Sequence, residues 1–359
     1  MLSLSFVKQA AASLGFTFCG VVRAAPSPTL DAYLRWIDAG MHGAMGYMAR
    51  PDRVARRQDL NVILPGVKSL VMVGLDYRTA AVGVDVLTDK SRGRIAAYAW
   101  GTDYHDIIND KLTRLAAVIG GEAPHPASDL SPFPSPLSTR TYVDTGAILE
   151  RSHAQQAGFG FVGKNTMLIH PRRGSNFFLG EMLTDAEFDH YDAPMEPAAS
   201  CGSCTRCMAA CPTDAFPAPH VLDARRCISY HTIENKGSIP VELRPRFGNW
   251  IFGCDVCQDV CPFQRFAPIT PEQAFFPVDA DRAAPKLADL LAMDDITFKT
   301  RFAGSPLIRT GRSRLVRNAC VAAGNSSDTS LIPALERHAS GEDLLIAEHA
   351  LWALDRFAG

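Results

Sequence analysis

The stretch CGSCTRCMAACP, from Cys201 to Pro212, decides how the chain is read, together with its echo CDVCQDVCP from Cys254 to Pro262. The first run is C-x2-C-x2-C-x3-C-P, the bacterial ferredoxin spacing in which three close thiolates hold one 4Fe-4S cluster and the fourth crosses to another. A second cluster then needs ligands of its own. In the second run the residue at the corresponding first position is Ile251, and Cys227, upstream in RRCISY, is the cysteine free to take that place. The crossing rule assigns Cys201, Cys204, Cys207 and Cys261 to one cluster and Cys211, Cys227, Cys254 and Cys257 to the other. Paired C-x2-C units also build closed zinc sites, and eight cysteines can form disulfides. Neither alternative requires this spacing with a proline after the last cysteine. Cys19 and Cys320 lie far from the set and read as small buried hydrophobes.

Outward from the cysteines, composition changes on both sides. The Pro- and Ala-rich YDAPMEPAAS precedes them, and a Pro-rich link near Phe276 and Pro277 follows. A chain of 359 residues is long for one core, so two or three domains are expected. The reading is an α+β protein of three parts: an N-terminal α/β domain over 1–190, a two-cluster ferredoxin-like domain over 191–270, and an all-α tail over 271–359. In the tail, LVRNACVAAGN and LLIAEHALWALDRF share an outline expected of a HEAT-like helix-pair repeat. With 47% hydrophobic and 21% charged residues the chain is globular. Lys8 interrupts the apolar start, which fits an amphipathic helix better than an export signal. No apolar run is long enough to span a membrane, and cluster thiolates without an export signal predict a cytoplasmic protein.

The net charge of −2 makes no global case for nucleic acid, but its distribution does. Between Ile296 and Ser327 stand Lys299, Arg301, Arg309, Arg312, Arg314 and Arg317 with no Asp or Glu, a footprint for phosphates. The competing reading is a solvated helix face.

Before the cysteines, TFCGVVRA from Thr17 and SLVMVGLDY from Ser69 read as strands and LDAYLRWIDAGMHG from Leu30 as a helix. RIAAYAW from Arg94 reads as a strand leading into a helix capped by Thr102 or Asp103. A Pro- and Ser-rich loop follows from Gly120 to Pro136. Thr141 to Val143 is expected as a strand, Asp144 or Thr145 as the N-cap of a helix over Ile148 to Ala157, and Met167–Ile169 with Phe177–Leu183 as a strand pair. No G-x-G-x-x-G follows a strand. D-x-H-x-x-G is also missing: Asp103, Tyr104 and His105 begin it, but Ile108 stands at the glycine position. From the residues alone the chain is an iron-sulfur oxidoreductase with an unidentified second cofactor.

The set YVDTGAILER, GFGFVGKNTMLIHPRRGSNFFLGEM, CGSCTRCMAACPTDA, RRCISY, GCDVCQDVCP and SPLIRTGRSRLVRNACVAAGN resembles the epoxyqueuosine reductases, over nearly the whole chain. The resemblance implies two 4Fe-4S clusters and a base-off cob(II)alamin with no histidine beneath cobalt, reducing the epoxide of epoxyqueuosine at a tRNA wobble position to the alkene. It places the proton donor on Asp144, for which the competing role is helix capping, and expects its carboxyl to be buried with a raised pKa. It places cofactor contacts on Arg57, Asp144 itself, Asn165, Leu168, Leu179, Ser229, Gln258 and Asp259. The tRNA backbone would meet Lys236, Arg309, Arg312, Arg314 and Arg317. The expected partners are the tRNA anticodon stem-loop and an unidentified electron donor, with no membrane and a monomeric chain. A corrinoid-dependent reductase of a small molecule, dehalogenase-like, and a plain two-cluster electron carrier are the rival readings.

Overall fold

The computed structural model describes residues 1–120, 137–196 and 198–358. Beyond Gly120, the loop expected up to Pro136 lies outside the described residues. Along the chain the strands are β1 (Phe18–Arg23), β2 (Ser69–Asp76), β3 (Arg94–Ile95), β4 (Thr139–Tyr142), β5 (Phe161–Val162), β6 (Leu168–Ile169), β7 (Phe177–Thr184) and β8 (Trp250–Phe252). Four of them make one sheet in the order β1-β2-β7-β4. Every pairing in it is antiparallel. The N-terminal region is therefore antiparallel sheet with covering helices, not the alternating parallel α/β arrangement.

β2 is buried along its whole length because both faces of the sheet are covered. Strand alternation sends Val71, Val73 and Leu75 to one face, with Val21, Phe178 and Met182, under the helices Leu4–Ser13 and Tyr104–Gly120. It sends Leu70 and Met72 to the other, with Val22, Phe177 and Leu183, beside the helix Glu150–Gln156. Asp103 caps the Tyr104–Gly120 helix, its carboxylate accepting the His105 N–H at 3.1 Å.

Three expectations are corrected. RIAAYAW is a strand only over Arg94–Ile95, pairs in parallel with β8, and turns into a single 3-10 turn at Ala97–Ala99. β6 and β7 are not partners: β6 pairs with β5, whereas β7 carries the central sheet between β2 and β4. Asp144 and Thr145 do not cap the following helix, which begins at Glu150 after Leu149.

The β3–β8 pairing joins the N-terminal region to the cysteine region. Ile95, Ala99 and Trp100 share a core with Phe252 and with Leu287, Leu315 and Ala350 of the helical tail. In that tail LVRNACVAAGN lies in the helix Arg312–Ser326 and LLIAEHALWALDRF in Leu344–Ala358, and the two pack directly together. Among the described residues no helix is long and apolar enough to cross a membrane.

Candidate active site

The cysteines fall into two groups. Cys201, Cys204, Cys207 and Cys261 line one small cavity with Asn165, Ile169 and Phe263. The thiols of Cys254, Cys227 and Cys211 crowd that of Cys257, whose ionisation is opposed first by burial and then by these three neighbours. Cys254 is likewise pushed up by burial, with Cys227 and Cys211 nearby. Among the described residues no three His, Cys, Asp or Glu side chains converge tightly enough to hold a single ion. Thiolates on one zinc would all sit ~2.3 Å from it; two groups of four cysteines in the ferredoxin spacing suit iron-sulfur clusters. Backbone N–H groups of Lys164 and Ala215 reach the sulfurs of Cys201 and Cys211 at 3.4 and 3.3 Å, bonds that tune a cluster's potential.

The β5–β6 hairpin ties this region to the sheet. Asn165 is buried there and donates to the Cys257 carbonyl at 3.0 Å, so one side chain touches both cysteine groups. Lys164 donates to the Gly202 carbonyl at 2.8 Å. Leu168 is buried in the same hairpin and Leu179 partly buried on β7. Ser229 lies in the helix Ile228–Ile233 that follows Cys227.

Asp144 stands on the loop between β4 and the Glu150–Gln156 helix. Its φ of 57° is left-handed, a conformation Asp tolerates better than most residues but one that still stores strain. The residue as a whole is exposed, against the expectation of a buried one, although its carboxyl meets protein groups. Two contacts hold it. Tyr104 Oη donates to Asp144 Oδ2, and Arg53 fixes the loop by donating to the Thr145 carbonyl at 2.9 Å. Burial, then the Asp144 charge, pushes the Tyr104 phenol up, so it remains a donor.

Behind Asp144 lie two acids that the sequence reading missed. Glu150 contacts the Asp144 and Glu181 carboxyls. Glu181, on β7, is fully buried and no protein donor reaches either of its oxygens. Burial first, then mutual charge, pushes both glutamates well above the ordinary range. Facing carboxyls repel when both are ionised, so each raises the other's hold on a proton. Gly146 lets the loop close over them: a Cβ there would stand 2.9 Å from Glu181 Oε1. Alternation was the available signal, since Glu181 occupies a strand position between apolar neighbours.

Tyr98 connects the two halves of the site. Its ring centroid lies 6.1 Å from that of Tyr104 and 6.0 Å from that of Phe252, two residues before Cys254. Tyr98 thus packs between the residue that holds Asp144 and the strand that leads to Cys254.

The other predicted residues divide. Arg57 is 7% exposed, lies over the Tyr33 ring at 4.9 Å, and leaves its Nε without a partner. Gln258 is spent on Tyr77 Oη and on Ser175, and Asp259 pairs with Arg94 at 3.1 Å, lining a groove that Asp144 does not line. Lys236 is exposed. Arg309 is about half exposed and paired with Asp103. Arg312 donates to the Met293 carbonyl at 2.6 Å, and Arg314 to those of Ile233 and Arg309 at 2.7 and 2.9 Å. Arg317 is corrected outright. It is fully buried, donating to the carbonyls of His231, Asn235 and Gly237 and to Asn318, and no phosphate can reach it.

Comparison with known proteins gives two family models, one for each end of this site. The family described as "Epoxyqueuosine reductase QueG, DUF1730" matches residues 57–145, and a "4Fe-4S double cluster binding domain" matches residues 200–264. The epoxyqueuosine reductase of Pseudomonas aeruginosa is 40% identical, over 91% of this chain and 87% of the relative. That of Escherichia coli is 38% identical over 97% and 88%. Among solved structures, an epoxyqueuosine reductase with an epoxyqueuosine-modified tRNA-Tyr stem loop superposes with a TM-score of 0.86 at 31% identity, covering 99% of this chain and 90% of that one. The Bacillus subtilis enzyme, captured with its aspartate-bearing catalytic loop swung out of the active site, gives 0.85 at 30% identity over 98% and 90%.

Proposed function

Since the chain belongs to the epoxyqueuosine reductase family, we propose that it reduces the epoxide of epoxyqueuosine at the wobble position of tRNA, with Asp144 supplying a proton. The observation that carries this reading is the Tyr98 junction, where one ring packs against Tyr104, which holds the Asp144 carboxyl, and against Phe252, on the strand that leads to Cys254. The net change is epoxide to alkene, consuming two electrons and two protons and releasing water.

Two 4Fe-4S clusters, held by the two cysteine groups, would supply single electrons, and bound cobalamin would supply the reducing centre. The orphaned, buried Nε of Arg57 fits a cofactor fringed with amide acceptors. Arg57, Asn165, Leu168, Leu179 and Ser229 are the residues proposed to hold it, with Asp144 as the neighbouring acid. Gln258 and Asp259 position the segment that carries Cys257.

The chain's own chemistry is proton supply. Oxygen leaving an opened epoxide is a poor leaving group as an alkoxide, so a positioned acid accelerates the step. Tyr104 orients the Asp144 carboxyl, and Glu150 with Glu181 keeps a further proton in contact with it. An anticodon-loop base is single-stranded and enters a pocket at little cost. Lys236, Arg309, Arg312 and Arg314 are the proposed phosphate contacts. Domains over 1–190, 191–270 and a HEAT-like 271–359, a monomeric chain and a cytoplasmic location complete the reading.

The test is anaerobic purification with cobalamin supplied, followed by metal analysis and turnover of an epoxyqueuosine stem loop. Asp144→Asn should keep the iron and cobalt content of the wild type and lose about 10²–10⁴-fold in rate. Unchanged turnover would remove Asp144 as the acid, and absent cobalt would retire the cobalamin site.

A further inference from the structure

A groove of about 1160 Å³ runs between the segment after β2 and the short helices that follow Cys204 and Cys254, Arg206–Ala210 and Val256–Asp259. We propose that a small acidic one-electron carrier protein docks here and delivers electrons to the cluster of Cys201, Cys204, Cys207 and Cys261. This goes beyond the proposed reaction, which consumes electrons without saying where they enter.

Three observations converge on it. The first is the wall. Cys261, Pro262 and Arg206 line both this groove and the cavity enclosed by the four cysteines, so a partner seated in the groove is separated from the cluster by a ligand's own backbone and side chain. Asp144 and Tyr104 do not line it. The face that must admit the modified base and the face offered here are therefore served by different residues.

The second is charge. Arg78, Arg94, Arg206 and Arg265 line the groove against two carboxylates, Asp255 and Asp259. Asp259 is neutralised by Arg94 at 3.1 Å. Asp255 is only 7% exposed and its carboxylate accepts the Ala97 N–H at 2.7 Å, so it faces inward. What remains toward solvent is cationic: Arg206 and Arg265 are exposed, and Arg78, held by the Ala267 carbonyl at 2.8 Å, is partly so. A concave cationic surface concentrates anionic partners and raises their rate of encounter by about 10–10³-fold.

The third is the rim. Phe266 is 45% exposed with the Arg265 guanidinium 4.5 Å over its ring, and Ile269 nearby is 47% exposed. Exposed apolar side chains beside cations suit a protein surface, where each can be covered in a transient complex. Backbone phosphates of RNA would use the arginines but leave Phe266, Ile269 and the Cys261 wall without a role. The electron count is simple. Each docking oxidises the carrier by one electron and reduces the cluster by one, two dockings serve one epoxide, and no proton crosses this interface.

The experiment uses the full chain with both clusters assembled and no RNA present, so a failure of epoxide reduction does not affect it. Bleaching of the clusters' visible absorbance is followed by stopped flow after mixing with a reduced acidic two-iron ferredoxin, and separately with a neutral photoreduced deazaflavin. In wild type the ferredoxin rate should fall steeply with salt. Arg206→Glu/Arg265→Glu should slow it at least tenfold at low salt and flatten the salt dependence, with the deazaflavin rate unchanged. Arg206→Lys/Arg265→Lys, which keeps the charge, should keep the rate. An unchanged ferredoxin rate in the charge-reversed protein would overturn the proposal. So would equal slowing with both reductants, which marks damage to the cluster, or, in a separate titration of the same variant with the stem loop, a loss of binding with ferredoxin reduction intact, which would make the groove an RNA surface.

Discussion

Arg317 and Glu181 are both charged-type side chains with no solvent exposure, and the fold treats them in opposite ways. Around Arg317 the helix Arg312–Ser326 meets the turn that follows Ile228–Ile233, and three carbonyls and the Asn318 amide oxygen converge on its guanidinium. Every donor direction of the fork is used for joining two segments of backbone. Glu181 sits in the middle of β7 with no donor at either oxygen, and only a second carboxyl, Glu150, against it. A satisfied buried ion belongs to the architecture. An orphaned one is a cost that folding alone does not explain, and it lies directly behind the Asp144 loop.

The largest effect expected from this contrast is at the satisfied group. Arg317→Ala leaves the buried carbonyls of His231 and Asn235 without donors, each worth about 1–3 kcal/mol, and frees that of Gly237, so the total loss should be about 2 kcal/mol or more. Thermal unfolding should show a large fall in midpoint, and Arg317→Lys should recover only part, since an ammonium cannot reproduce the fork. Full stability with weakened stem-loop binding would return Arg317 to the RNA surface and dissolve the contrast.

The middle-sized effect is on turnover. Glu181→Gln keeps the shape of the side chain and can donate one bond to Glu150, but removes the second acid of the pair. Turnover of the stem loop should fall roughly tenfold, less than for Asp144→Asn because the proton donor itself remains, and the loss should deepen as pH rises and Glu150 alone must stay protonated. A rate and pH profile equal to the wild type would make the pair a structural accident.

How much of this was open to sequence follows from what each pattern constrains. Cysteine spacing fixes distances along the chain that only certain metal bodies satisfy, and so the two groups could be written down from Cys201 to Cys261 alone. The strand Ser69–Asp76 and the helix from Tyr104 were legible for a similar reason, because periodicity reports which face is covered. Charge reports no such thing. The run from Lys299 to Arg317 looks uniform in sequence, yet it divides into the exposed Arg309, paired with Asp103, the partly covered Arg312 and Arg314, on the carbonyls of Met293 and Ile233, and the buried Arg317, on that of His231. Glu181 and Glu150 were illegible because their meaning is their contact, made between residues thirty-one positions apart in separate elements. The pairing of β3 with β8 was hidden likewise, being a non-local contact of only two residues on one side.

The smallest effect is a slope in stability against pH, and it separates the two buried groups most cleanly. A carboxyl whose folded pKa lies above its unfolded value binds more protons folded than unfolded, so stability falls as pH rises past the ordinary glutamate value of 4.5 and goes on falling toward the folded value. The charges that bear on the pair are Asp144, which reinforces the shift, and Arg151 and Arg57, which reach Glu150 with the opposite sign. Glu181→Gln removes one acid and its repulsion, so it should raise the unfolding midpoint at pH 8 while changing it little at pH 5, a relative gain of about 1 kcal/mol per pKa unit of relieved shift. Arg317→Ala should lower the midpoint at both pH values alike, because its guanidinium stays charged throughout. A Glu181→Gln protein with the wild-type slope would mean that the slope arises elsewhere, and that the two carboxyls do not share a proton behind Asp144.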